Sequence, residues 1–447
     1  MEEIVLKGLD EKIYYDKCDN GLPIYLWVNE KVNSFYITLS VKYGSIHTEF
    51  KKTKNGKVIT VPTGIAHFME HLKFNEADGK TANDFFDKLG SDINAFTTFE
   101  YTNYQVFANT HFKENLDHLL DYVMTPYFTK KLVTKEKNII VEEAKAGKDN
   151  PYNQLFFGTL QNTFHNLNYR VPVIGEIEDI KNTELKDIKL IFDTFYHPEN
   201  MFLVITGNFN PYEAMQIVKD NQKKKTFNKY TKPIIVTKKE PEKVVVEYEE
   251  KHANVEIPKM KLSLKIPRKN FKEKHEITLR IMLSIILECN FGSSTDFYEE
   301  LFEKELVSSI GTSRQILDDY VSIFINIESK YPDEIIPIIK EKLENLEINE
   351  ETFKRRIKAN IATMVLNYDS IEYVNEDIQD DLIIFGKITD NLKDIYANLT
   401  LEETINTMKN ITTKNMATLV MLPKEKVEEW SSTFVIICCS IQRLMIH

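Results

Sequence analysis

Cysteine is scarce in these 447 residues: there are four, Cys18, Cys289, Cys438 and Cys439. They are too few for a disulfide scaffold and show none of the paired short spacings of a thiolate zinc site, so a reducing, cytoplasmic setting is expected. Glycine and proline are sparse as well, 14 of each, which excludes collagen-like and low-complexity chains. Long apolar runs are missing. The longest, Ile281–Leu287 and Phe434–Cys439, are too short to cross a bilayer. The opening Met1-Glu2-Glu3-Ile4-Val5 lacks the basic and apolar regions of a secretory signal, and no membrane association is expected. Excess positive charge is absent too. Against 57 Lys and Arg stand 68 Asp and Glu, a net charge of −11, whereas nucleic-acid binders need a cationic field.

What is there is a globular composition, 42% hydrophobic and 28% charged, in a chain long enough for about three domains of roughly 150 residues. The pattern favours two similar halves instead. Leu22–Val28 and Ser34–Val41 carry the β-branched and aromatic residues of strands. From Gly64 the period turns helical, and helices are expected over Ala82–Leu89, Phe112–Met124 and Glu136 to about Lys145, with strand character over Asn94–Ala108. Met201–Asn208 reads as a buried strand followed by a short helix from Pro211. After a lysine-rich stretch the order recurs: strand Lys261–Ile266, helix Glu276–Leu287, strands within Ser308–Ser329, helices, and a last strand Asn415–Pro423 that echoes Asn200–Ile205. The fold class is therefore α+β, with one half at 1–222, an exposed linker at 223–243 and a second half at 244–447.

Chemistry concentrates in Thr63-Gly64-Ile65-Ala66-His67-Phe68-Met69-Glu70-His71-Leu72. On a helix His67 and His71 are four residues apart and share a face, and Glu70 lies on the same side. Zinc accepts neutral imidazole nitrogens, and a catalytic site needs a third protein ligand. Glu136–Ala144 offers one. Glu143 falls four residues after Ile139 and three after Ile140, so it is expected on a buried apolar stripe, with Glu142 turned aside. Glu136, two turns earlier on the same face, can hydrogen-bond a ligand or a water. Glu70 suits a general base acting on a water that the metal activates. The other histidines, His47, His111, His118, His165, His197, His252, His275 and His447, lack companion spacing and read as structural or exposed.

His67-Phe68-Met69-Glu70-His71 is the inverted zinc signature. With Asn94-Ala95-Phe96-Thr97 and Glu136 through Glu143, it resembles the pitrilysin/insulinase family of zinc peptidases. Glu136-Lys137-Asn138-Ile139-Ile140, Asp149-Asn150-Pro151 and Phe195-Tyr196-His197-Pro198-Glu199-Asn200-Met201 bring the similarity nearest to the bacterial processing-protease-like branch, over most of the chain. The resemblance implies two homologous halves, each a mostly antiparallel sheet flanked by helices, around a peptide chamber. It implies one Zn2+ per chain on His67, His71 and Glu143, with Glu70 as base and Glu136 supporting catalysis. It also implies that Asn94, Ala95, Phe96 and Thr97 form an edge strand to which substrate backbone pairs. The expected activity is metalloendopeptidase action on oligopeptides, unstructured segments or leader peptides.

In many relatives an Arg and, further on, a Tyr of the later half grip the substrate. Here Phe302 and Ser309 fall at those places, and Arg314 and Tyr320 are offset. The resemblance thus implies a partner subunit of the same fold that lacks the zinc motif but supplies Arg and Tyr, or otherwise a homodimer. The alternative is a non-catalytic structural or assembly subunit of a heteromeric complex. Glu425–Trp430 resembles the start of a final helix, whereas Ser431–His447 does not look like the family's usual ending.

Overall fold

The computed structural model describes residues 1–424 apart from 274; the expectations for Glu425–Trp430 and for 431–447 fall outside that range. The strands are β1 (Glu2–Leu6), β2 (Glu11–Lys17), β3 (Pro23–Val28), β4 (Phe35–Val41), β5 (Glu49–Lys51), β6 (Ile59–Thr60), β7 (Asp92–Thr97), β8 (Thr102–Ala108), β9 (Met201–Gly207), β10 (Ile234–Ile235), β11 (Tyr248–Ala253), β12 (Lys259–Pro267), β13 (Ser309–Leu317), β14 (Tyr320–Glu328) and β15 (Met416–Pro423). One large sheet runs β1-β2-β3-β9-β4-β8-β7, a second runs β11-β15-β12-β14-β13, and a small one runs β10-β5-β6.

The repeat is explicit in this topology. The order β3-β9-β4-β8-β7 maps strand for strand onto β11-β15-β12-β14-β13. In each set the first two strands are parallel, β3 with β9 and β11 with β15, and the neighbours that follow are antiparallel. β4 and β9 are buried along their whole length because both faces of the large sheet are covered. The period of two then sorts their side chains. Phe35, Ile37, Leu39 and Val41 of β4 enter the main core with Met201, Leu203 and Ile205 of β9, while Tyr36, Phe202 and Val204 face the opposite side.

That opposite side is covered by a helix from the later half. Ile371–Asp380 packs on β9 and β4, and Trp27, Val204, Ile378 and Leu382 join in one apolar cluster. Polar residues pair across the same contact. Thr38 Oγ1 donates to Asn375 Oδ1 at 2.6 Å, Ser40 Oγ to Gln379 Oε1 at 2.8 Å, and Thr206 Oγ1 to the Ile371 carbonyl at 2.7 Å. The exchange is reciprocal: the helix Pro151–Thr163 of the earlier half packs on β15 and β12 of the second sheet. Asn150 caps it and proline opens it, a combination that restarts the chain after the long helix Lys130–Asp149. Gly158 allows the close approach, since a Cβ there would lie 2.7 Å from Leu419 Cδ2.

The stretch expected to be an exposed linker is pinned in two places. β10 pairs with β5, and the buried Glu240 carboxylate bonds to Lys265 Nζ at 2.5 Å and to the amides of His165, Asn166 and Leu167. Lys265 stands on the face of β12 beneath the helix Pro151–Thr163 and accordingly needs a buried counter-charge. Composition sees lysines and prolines in this segment but carries no trace of that long-range pairing. Among the described residues no single helix is long and apolar enough to cross a membrane; the bent pair Glu276–Phe291 and Asp296–Glu303 reaches that length only jointly. Leu279, Leu283 and Ile286 of the first of these helices are buried in the second core.

Candidate metal centre

The histidines sit on the helix Ile65–Lys73. Its start is fixed by Thr63, whose amide and hydroxyl both donate to Asp179 Oδ2, at 3.2 and 2.6 Å, while its oxygen accepts the Glu176 amide. Gly64 has φ +78°, and a Cβ there would lie 2.1 Å from the Ile174 carbonyl oxygen, so no other residue fits. Ile65, Ala66, Phe68, Met69 and Leu72 anchor the helix in the main core. That anchoring leaves His67, Glu70 and His71 facing a cleft of about 1180 Å³.

Glu143 reaches the same point from the helix Lys130–Asp149. Its Oε1 lies 3.6 Å from His67 Nε2 and its Oε2 3.4 Å from His71 Nε2. One donor atom from each of the three residues lies within 4.8 Å of the others. The expected reason for this placement is corrected. Glu143 does not ride a buried stripe: Ile140 is buried, but Ile139 is 46% exposed and the Glu143 side chain 48% exposed. This face of the helix looks into the open cleft, and reach, not burial, selects Glu143. Glu142 turns outward to Lys145, as its helical position predicts.

Glu136 is buried, with Oε2 3.6 Å from His71 Nδ1 and Oε1 3.3 Å from Lys135 Nζ. Asn75, which sequence reasoning missed, donates from Nδ2 to the His71 carbonyl at 3.2 Å and to Glu136 Oε1 at 3.4 Å. Burial pushes the His67 imidazole down to about 4. Burial works against the His71 cation as well, yet the Glu136 and Glu143 carboxylates raise that ring to about 9. Burial raises Glu70 above the ordinary carboxylate range, opposed in part by the hydroxyl of Thr97. Two imidazoles and a carboxylate converge in a cleft and could hold a metal ion, and in number and kind they match the donors that a catalytic zinc takes. Among the described residues His67 Nδ1 is buried without a hydrogen-bond partner.

Among the described residues β7 is an edge strand of the large sheet, and it lines the cleft with Ala95, Phe96 and Thr97. Asn94 is exposed, and its Oδ1 accepts the Ala95 amide at 2.9 Å. Thr97 turns its hydroxyl to Glu70 Oε2 at 2.5 Å. Lys251 of β11 also lines the cleft, a contribution from the later half with no local sequence signal. Phe302 is exposed and stacked with Tyr298, Ser309 opens β13, and neither borders the cleft. The offset pair is committed elsewhere: Arg314 Nε donates to the Arg280 carbonyl and Tyr320 Oη to the Glu240 carbonyl.

A sequence profile described as insulinase (peptidase family M16) matches residues 29–175, and one described as the peptidase M16 inactive domain matches residues 182–360. YmfH of Bacillus subtilis (strain 168), an uncharacterized zinc protease, is 32% identical over 437 residues, 95% of this chain and 100% of that one. The zinc protease PqqE of Helicobacter pylori is 27% identical over 326 residues, 69% of this chain and 71% of that one. An M16-like peptidase from Alicyclobacillus acidocaldarius shares the fold at a TM-score of 0.87 and 24% identity, over 94% of this chain and 100% of that one. The periplasmic protease PqqL from Escherichia coli does so at a TM-score of 0.73 and 17% identity, over 93% of this chain and 48% of that one. A relative matched over its full length, two profiles that follow one another along the sequence, and a His-His-Glu donor set in the first of them place this chain in the insulinase family of metallopeptidases, peptidase family M16.

Proposed function

We propose that this chain is a zinc-dependent endopeptidase of the His-x-x-Glu-His type that hydrolyses oligopeptides, unstructured segments or leader peptides. The observation that carries the reading is the convergence of His67, His71 and Glu143 within 4.8 Å, in a cleft that Glu70 and the sheet edge share. These three residues would hold one zinc ion per chain, which when bound polarises a carbonyl and acidifies a water. Glu70 takes the proton of the attacking water and hands it to the leaving amine. Glu136 braces the His71 ring through Nδ1. An extended peptide pairs its backbone with β7, which gives affinity with little demand on side chains and excludes folded substrates.

Phe302 and Ser309 cannot supply the Arg and Tyr grip, so we assign those groups to a partner subunit of the same fold. The purified chain should contain zinc at one ion per chain and cleave a quenched fluorogenic peptide; chelation should abolish cleavage and zinc should restore it. A well-folded chain that binds no zinc and cleaves nothing would leave a structural or assembly subunit in its place, and cleavage that ignores the chelator would sink the role given to zinc.

A further inference from the structure

We propose that Thr97 is a positioning residue that ties the peptide-docking edge to the catalytic base, so that backbone pairing along β7 sets the orientation of Glu70. The inference rests on the peptidase reading above and adds a residue to it. Thr97 is the last residue of β7, and its Oγ1 lies 2.5 Å from Glu70 Oε2. Among the described residues this is the one side-chain hydrogen bond that the Glu70 carboxylate makes.

The direction of the bond follows from its neighbours. A carboxylate accepts, so the hydroxyl donates. Thr102, directly opposite on β8, places its own Oγ1 3.5 Å away and gives its proton to the Tyr43 carbonyl at 2.9 Å. The Thr97 proton therefore has Glu70 as its near acceptor. Thr97 is β-branched and held in a strand, which restricts its side-chain rotation, and Glu70 is only 8% exposed, so water is a poor substitute for the hydroxyl.

The base belongs to the helix Ile65–Lys73 and its hydrogen-bond donor to the strand on which the substrate lies. These two elements pack directly on each other. A peptide that adds to β7 alongside Asn94, Ala95 and Phe96 steadies the strand ending in Thr97, and through that hydroxyl it steadies the carboxylate.

The test compares zinc-loaded Thr97→Val, which keeps the shape and loses the hydroxyl, with Thr97→Ser, which keeps the hydroxyl. A hydrogen bond to a charged group corresponds to roughly a 10- to 100-fold change in rate. The Val chain should lose about that much in kcat, with KM near the wild-type value and zinc content unchanged, and the Ser chain should recover it. In crystal structures of the two variants the Glu70 carboxylate should leave its place in the Val chain and keep it in the Ser chain. Wild-type kcat in the Val chain, a raised KM at unchanged kcat, a Ser chain as impaired as the Val chain, or lost zinc would each overturn the proposal. A zinc-loaded wild-type chain with no peptidase activity would instead sink the peptidase reading, and the crystallographic comparison would still decide whether Thr97 holds Glu70.

Discussion

Glu70 and Glu143 both stand beside the His71 imidazole, in opposite surroundings. Glu70 is buried, and burial raises its carboxyl; Glu143 is half exposed, and hydrogen bonding to His71 holds its carboxyl low. Environments that push two carboxylates apart in this way suit the two roles proposed above, a proton carrier at Glu70 and a charged ligand at Glu143. Glu70→Gln keeps the shape of the side chain but cannot take a proton, so turnover should fall by about 100-fold to 10,000-fold while zinc stays bound. His71→Ala removes a ligand and should lose both metal and turnover. Elemental analysis beside a peptide-cleavage assay reads the pair; hydrolysis retained by the Gln chain would remove Glu70 from its role.

At the scale of an element, the helix Ile371–Asp380 is the informative one. Asn375 and Gln379, four residues apart, turn inward to the hydroxyls of the large sheet, so a polar stripe is what this helix buries. The next residues around the helix carry a titratable burden. Burial raises Asp377 from about 3.8 to about 7, and the charges of Asp381 and Asp380 push the same way while Tyr368 Oη, 3.3 Å away, opposes them. A folded-state value above the ordinary one means that the folded chain holds this proton more tightly than the unfolded chain does. That contribution is complete below about pH 3.8 and is lost as pH rises towards about 7. Asp377→Asn, uncharged throughout, escapes the loss, so its melting temperature should gain on the wild type between pH 5 and pH 8. Parallel melting curves across that range would show that Asp377 ionises as it does in water.

For the whole molecule, the exchange of helices means that neither sheet is covered by its own half alone. Pro151–Thr163 follows the helix Lys130–Asp149 directly and lies on the second sheet, and Lys251 of that sheet lines the cleft. The later half is thus part of the cleft's wall, yet its exposed Phe302 and Ser309 do not border the cleft. A homologous partner with Arg and Tyr at those two places should raise kcat/KM by roughly tenfold or more, the worth of one or two hydrogen bonds to substrate. Peptide cleavage by the chain alone and by the mixture measures this. Full activity alone, undiminished when association is blocked, would remove the partner.

The sequence by itself determined what depends on neighbours along the chain. The 3.6-residue period puts His67, Glu70 and His71 on one helical face, and strand composition with turn residues sets out the two similar halves. It pointed to Glu143 through a buried stripe that the exposed Ile139 contradicts; the structure brings that carboxylate to the two imidazoles from an open face instead. Only the tertiary structure decided that Thr97 donates to Glu70, that Asn75 donates to Glu136, that Glu240 is buried against Lys265, and that each half covers the other's sheet. Such contacts join residues tens or hundreds of positions apart. Local periodicity carries no record of them, because they exist only once burial has brought distant surfaces together and every polar group left inside must find a partner there.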